Sequence, residues 1–260
     1  MGAIVVEVPM VPFTNPNNYV HVAKKLYESM KAHSAREVES GGRPIRVILG
    51  DQWSNVANRR MHYETTGPEI WTQTKGRVDA FCCGVGTGGT LSGVSQALKK
   101  RNSKVKSVLI DPNGSALKSY FETGELKSEG SSIAEGIGQG RLCDNLIRDG
   151  FKPDQCIRVD DDEALQIAYN LLAREGYSIG SSSAVNVCGA YKLAQQLGPG
   201  HTIVTVLCDS GTRYQSKMYN SDFLKSKNLP IPPWIQTESG EYRQLQEMAE
   251  EWLKQAIVTV

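Results

Sequence analysis

The sequence predicts an α/β fold, a three-layer α/β/α arrangement around a mostly parallel sheet. Residues 78–85 form a short, mostly apolar run of strand length that opens into Gly84-Val85-Gly86-Thr87-Gly88-Gly89-Thr90. Leu91, Val94 and Leu98 then recur at helical spacing, and a second apolar run, 105–111, follows. Strand, glycine elbow, helix and strand in that order make a βαβ unit, which implies parallel strands with right-handed crossovers. Two further helix patterns and a β-branched run at 203–208 continue the alternation. At 260 residues the chain is long enough for one such domain, or one and a half, with a substantial core.

Taken in order, 3–9 reads as a strand starting almost at the first residue. Asn15-Pro16-Asn17 marks a turn and helix start, and Tyr19, Val22, Ala23 and Leu26 give that helix one apolar face. Residues 31–44 are polar and carry turn formers, which predicts an exposed loop. Residues 45–49 look like another strand, ending at Gly50-Asp51-Gln52-Trp53. Beyond the βαβ unit, Asp160-x-x-Glu163 is a capping-box pattern opening a helix with Leu165, Ala168 and Leu172 inward, closed by Gly176. Ser181-Ser182-Ser183 starts the next helix, which Gly198-Pro199 ends, and its donors are expected to face the crevice of the glycine loop. The run 203–208 is a buried strand with Asp209-Ser210-Gly211 just past its carboxyl end, where ligands of open α/β sheets bind. Residues 229–234 read as an extended linker. In 241–256, Leu245, Met248, Ala249, Trp252 and Ala256 predict an amphipathic tail helix, either packed on its own domain or presented to a partner.

The glycine loop carries the chemistry. Its glycines let backbone N–H groups close around a ligand, Thr87 and Thr90 add hydroxyl donors, and the helix behind favours an anion. Two ligands fit. Gly84, Gly86 and Gly89 match the dinucleotide fingerprint, with Asp111 ending the next strand where a ribose-binding carboxylate is expected. The other ligand is a single phosphate group held by the two threonines and the loop amides.

Composition narrows the partners. Hydrophobic residues are 40% and charged residues 22%, ordinary for a globular protein, and the net charge of +1 gives no reason to expect nucleic acid or an anionic membrane. No apolar run approaches membrane-span length and nothing resembles a targeting presequence, so the expected compartment is the cytoplasm. Cysteines stand at 82, 83, 143, 156, 188 and 208 without a CxxC pair, and Cys82, Cys83 and Cys208 fall in apparent buried strands, which reads as reduced core thiols. His21, His33, His62 and His201 show no metal-ligand spacing.

Five ordered motifs decide between the ligands: 62–71, His-Tyr-Glu-Thr-Thr-Gly-Pro-Glu-Ile-Trp; Gly86-Thr87-Gly88-Gly89-Thr90; Glu135-Gly136-Ile137-Gly138; Gly180-Ser181-Ser182-Ser183; and 208–214, Cys-Asp-Ser-Gly-Thr-Arg-Tyr. Together they resemble the cysteine synthase and cystathionine β-synthase family of pyridoxal-phosphate enzymes, closest to the cysteine synthase branch, over residues 1–234. The resemblance implies a tryptophan synthase β-like fold and β-replacement on O-acetylserine or a similar activated serine by sulfide. It implies a small amino-acid substrate and a homodimer or a homologue as partner. It also assigns residues. Gly86, Thr87, Gly88, Gly89 and Thr90 hold the cofactor phosphate, and Ser210 takes the pyridine nitrogen. Gln52 helps hold the substrate carboxylate, and Gly136 lines the substrate side. Ala184, where glycine is usual, places a methyl near the cofactor face. Asn55, Asn58, His62 and Glu64 read as local hydrogen-bonding and capping residues without chemistry.

The resemblance also places the family's Schiff-base lysine upstream of the segment matching Met1. None of the sixteen lysines stands in a Ser-x-Lys-Asp setting, and Lys217 matches a position without catalytic role, so no catalytic residue is assigned. The expected organisation is a remnant of the small substrate lobe at 1–60 with a polar insertion at about 31–44, a large cofactor domain at 61–234 and a tail at 235–260. Alternatives are a non-catalytic cofactor-binding or regulatory paralogue and a dinucleotide-binding domain.

Overall fold

The structure is a computed structural model that describes residues 2–235 together with Met248 and Glu251; the expected tail helix lies outside the described residues, these two apart. The chain forms two compact units, divided between Asn55 and Val56.

The second unit carries a four-stranded, all-parallel sheet in the order β3-β2-β1-β4, built from β1 (Ala80–Cys83), β2 (Lys106–Pro112), β3 (Gln155–Val159) and β4 (Ile203–Val204). Cys82 pairs with Val108, Ile110 with Ile157, and Ala80 with Ile203. Successive strand residues point to opposite faces, and both faces are apolar here. Ala80, Cys82, Val108 and Ile110 therefore join one core with Leu165, Ala168, Cys188 and Leu193. Those four come from α7 (Asp161–Glu175) and α8 (Ser181–Leu197). Phe81, Cys83 and Leu109 join the opposite core with Leu91, Val94 and Leu98 of α4 (Gly89–Arg101). A sheet between two helical layers is the predicted α/β arrangement. The Asp160–Glu163 capping box and the Gly176 terminus of α7 also stand as predicted.

Strand 203–208 is shorter than predicted. Past Val204 the Cys82 carbonyl accepts the Thr205 hydroxyl at 2.8 Å, and the Val206 carbonyl accepts the Asn186 side chain at 2.8 Å. Side chains replace the ladder there, and Cys208 is exposed rather than buried in a strand. The predicted linker at 229–234 is docked: Leu229 and Ile231 pack against the core, and Trp234 meets Tyr169 edge-on with ring centroids 5.7 Å apart.

The first unit departs further from expectation. Neither 3–9 nor 45–49 forms a strand, because no partner strand among the described residues takes their backbone groups. Residues 31–39 are not a loop but the second half of α1 (Tyr19–Glu39). The chain there is polar, but Lys31, Ala32, Ala35, Arg36 and Glu37 are strong helix formers, and the first glycine is Gly41. Asn18 caps the helix by accepting the Val20 N–H at 3.1 Å. Ser34 locks the following segment by exchanging two hydrogen bonds with the Ile45 backbone.

Candidate functional site

The loop between β1 and α4 is shaped by close backbone packing. Gly88 sits at φ +87° as the N-cap of α4, and a Cβ there would stand 2.4 Å from the Leu146 Cβ. A Cβ on Gly86 would stand 2.5 Å from the Gly136 carbonyl oxygen. Both positions require glycine, the first for conformation and the second for approach. The N-cap Gly88 has no side chain to cap α4; the Gly89 N–H donates to Thr87 Oγ1 at 3.4 Å and the Ser92 N–H to the Gly88 carbonyl at 3.0 Å, which leaves the Thr90 and Leu91 N–H groups at the positive end of the helix dipole.

The hydroxyls are braced from behind. Helix α2 (Ala57–Glu64) presents Asn58 and His62 on one face, four residues apart, and α3 (Thr66–Gln73) follows. The Asn58 side-chain amide donates to Thr87 Oγ1 at 2.9 Å. His62 Nε2 lies 3.2 Å from Thr90 Oγ1, and its Nδ1 lies 3.0 Å from Thr66 Oγ1. Burial holds the His62 imidazole below its ordinary pKa and favours the neutral ring. Sequence reasoning gave neither Asn58 nor His62 a part at the site. Their i, i+4 spacing just before the glycine loop was the available signal.

Gly136 and Ser210 arrive on separate segments. The stretch 132–138 is held against the cradle at several points. The Ser132 hydroxyl and the Ile133 N–H donate to Asp161, the latter at 2.9 Å; the Glu135 N–H donates to Ser181 Oγ at 3.1 Å; the Gly138 N–H donates to the Val85 carbonyl at 3.2 Å. Glu135 also pairs with Lys217. Ser210 follows the end of β4, the same end of the parallel sheet at which β1 opens into the cradle. Asn186 joins the two regions: its Oδ1 accepts the Gly84 N–H at 2.6 Å while its Nδ2 donates to the Val206 carbonyl. Ser210 Oγ is exposed and accepts the Thr212 N–H at 3.3 Å, opening a 3-10 turn.

The structure places the remaining expected features as follows. Asp111 is fully buried and accepts the Lys118 N–H at 2.8 Å at the start of α5 (Leu117–Thr123), so it cannot reach a ribose. Burial pushes its carboxyl above the ordinary range, against the Ser115 and Lys118 hydrogen bonds. Of the serines opening α8, Ser181 is engaged with Glu135 and Ser183 accepts the Cys208 N–H at 2.8 Å. Both accept backbone N–H groups from distant segments, which ties those segments to the start of α8. The Ala184 methyl is buried in the core shared with Val185 and Cys188. Gln52 belongs to the first unit, where it lies exposed on a turn. It helps line a cavity of about 160 Å³ with Tyr19, Ala23, Leu49 and Trp53, and Trp53 Nε1 donates to the Tyr19 hydroxyl at 2.8 Å.

The donor set suits a phosphate monoester: two hydroxyls and a helix N-terminus without a capping side chain at Gly88, in a loop with glycine where neighbours leave no room for a Cβ. The model of a family described as pyridoxal-phosphate dependent enzyme matches residues 1–209. Cysteine synthase 1 of Neurospora crassa is 43% identical over 241 residues, covering 91% of this chain and 60% of that protein. Cysteine synthase 1 of Emericella nidulans is 44% identical over 232 residues, covering 88% and 59%. Cysteine synthase A of Escherichia coli is 39% identical over 189 residues, covering 72% and 58%. The chain thus spans about 60% of the length of these curated relatives. A family match over four-fifths of the chain, on a parallel sheet whose glycine turn fits the cofactor's phosphate, gives the assignment: the chain belongs to the pyridoxal-phosphate-dependent enzymes.

Proposed function

We propose that residues 56–235 hold pyridoxal 5′-phosphate, and that the chain is a cysteine synthase-like protein for β-replacement by sulfide on O-acetylserine or a similarly activated serine. The observation carrying this reading is the open α4 N-terminus, framed by Gly86, Thr87, Gly88, Gly89 and Thr90. When bound, the cofactor withdraws electrons from the substrate's α-carbon and so eases loss of the β-substituent. The protein's part is to bind and orient. The cradle neutralises the phosphate. Ser210 offers the ring nitrogen a neutral hydroxyl, which does not hold that nitrogen protonated as a carboxylate would. Gly136 lines the substrate side without a side chain.

The reaction also needs an amine that takes up the α-proton, and the family's Ser-x-Lys-Asp setting does not occur among the sixteen lysines. Lys217 is committed to Glu135. We therefore read the 260-residue polypeptide as a cofactor-binding form without turnover, whether a fragment of an enzyme or a regulatory relative. The expected result is saturable binding of pyridoxal 5′-phosphate with no sulfide-dependent cysteine formation. Turnover near that of a complete homologue, with borohydride fixing the cofactor on one lysine, would overturn the second half. Binding of NAD in place of pyridoxal 5′-phosphate would overturn the first.

The proposed assembly is a homodimer, and sedimentation as a clean monomer at micromolar concentration would contradict it. The proposed compartment is the cytoplasm, where buried free thiols such as Cys82 and Cys83 stay reduced. Imaging of a tagged full chain tests it, and localisation to an organelle would refute it. No described helix is long and apolar enough to cross a membrane.

A further inference from the structure

We infer that Asn58 and His62 set the hydrogen-bond polarity of the cradle, filling the acceptor positions of Thr87 and Thr90 so that both hydroxyl hydrogens are left to donate to the phosphate. This rests on the cofactor reading above and assigns two positioning residues to it. A threonine hydroxyl has one hydrogen to give and two lone pairs to receive. At Thr87 both lone pairs are engaged: the Asn58 amide donates at 2.9 Å and the Gly89 N–H at 3.4 Å. The hydrogen that remains has no further role toward these two neighbours, and an anion in the cradle is its natural acceptor. Asn58 is fixed for this task, since its Oδ1 is seated where a side chain on Gly89 would otherwise lie, 2.1 Å from the ideal Cβ position.

Thr90 depends on a tautomer. His62 touches hydroxyls at both ring nitrogens, Thr66 at Nδ1 and Thr90 at Nε2. A neutral imidazole carries one hydrogen, so two patterns exist. If Thr66 donates to Nδ1, the Nε2–H donates to Thr90 Oγ1, and the Thr90 hydrogen turns outward to the ligand. If instead Nδ1–H donates to Thr66, Thr90 must give its hydrogen to Nε2 and offers the cradle only lone pairs, which repel a phosphate. The first pattern is the one an anion selects. Thr66 is thereby the far end of a relay, Thr66 to His62 to Thr90 to phosphate, that uses residues from α2, α3 and α4.

The two arms of the test use pyridoxal 5′-phosphate in absorbance titration, with inorganic phosphate as competitor, on the full chain. Asn58→Asp replaces a donor by an acceptor at nearly constant size, draws the Thr87 hydrogen away from the ligand, and adds a negative charge beside the anion site. Affinity for both probes is expected to fall about tenfold or more, as for loss of a hydrogen bond to a charged group. Asn58→Leu, which only frees the hydroxyl to rotate, should lose less. In a Thr87→Val background Asn58→Leu should matter no further, and the loss on Asn58→Asp should shrink to the part its added charge causes through space, which separates hydroxyl polarity from general damage. For His62, nitrogen-detected NMR on a chain with four histidines should show the Nε2–H tautomer once inorganic phosphate is bound. Equal affinity of wild type and Asn58→Asp, an undiminished loss in the Thr87→Val background, or an Nδ1–H tautomer with phosphate bound would each overturn the inference while leaving the cofactor reading intact. Wild-type protein that binds neither probe would overturn both.

Discussion

At the scale of single residues, the site is made by what is missing at some positions and by what lies behind others. Gly88 combines a left-handed backbone with a Cβ position already occupied by Leu146. Gly88→Ala should therefore lower stability by roughly 1–3 kcal/mol through strain and overpacking, and weaken pyridoxal 5′-phosphate binding as well. Thermal unfolding and ligand titration of the same variant read out the two effects. The cysteines divide by burial. Burial pushes the Cys82 and Cys188 thiols up to about 11 and Cys156 to about 12, and Cys83 well above its ordinary value. Cys208 is exposed. Thiolate is the reactive form, so labelling of native protein with a disulfide reagent near neutral pH should reach Cys208 first. Peptide mapping would identify the modified residue, and rapid labelling of Cys82 or Cys83 would contradict the buried strand.

At the scale of elements, one carboxylate ties three of them together. Asp154, just before β3, accepts the Ser107 N–H at 2.6 Å and the Ser107 hydroxyl at 2.8 Å, and pairs with Lys99 near the end of α4 at 2.6 Å. Burial pushes its carboxyl up, but the Lys99 ammonium and the two Ser107 donors outweigh that and hold it below its ordinary value. A carboxyl whose folded pKa is depressed stabilises the fold above the ordinary carboxylate range. That contribution is lost as the pH falls through the folded value. Asp154→Asn should accordingly melt below wild type at neutral pH, with the difference shrinking in acid below about pH 4. Melting curves across that range check the sign, and a difference constant in pH would assign the effect to packing instead.

At the scale of the whole molecule, a ligand that binds only the folded state raises stability by mass action. Pyridoxal 5′-phosphate at a hundred times its dissociation constant adds about 2.7 kcal/mol to the unit that holds it. For a unit of this size that corresponds to a rise of roughly 5–10 °C in its melting temperature. Calorimetry should show the rise in the transition of residues 56–235, and Gly88→Ala should reduce it. An unchanged transition at saturating ligand would place the cofactor elsewhere.

The sequence by itself determined those elements whose signals are local. The βαβ unit at 80–112, the capping box and glycine end of α7, and the start and end of α8 follow from periodicity and end signals within a few residues. The glycine turn between β1 and α4 was legible for the same reason, since its residues stand in one short stretch between strand and helix. Tertiary structure decided what depends on partners distant in the chain. Residues 3–9 and 45–49 have strand composition but no described strand to bond with, and a strand without a ladder is no strand. Residues 31–39 look like loop by polarity, yet a solvated helix needs only helix-forming residues and a cap. Asp111 has the right spacing for a ribose, but the packing of α5 buries it. Asn58 and His62 read as local hydrogen-bonding and capping residues until α2 is laid against α4. Direction and burial are properties of packing, and no short window of sequence contains them.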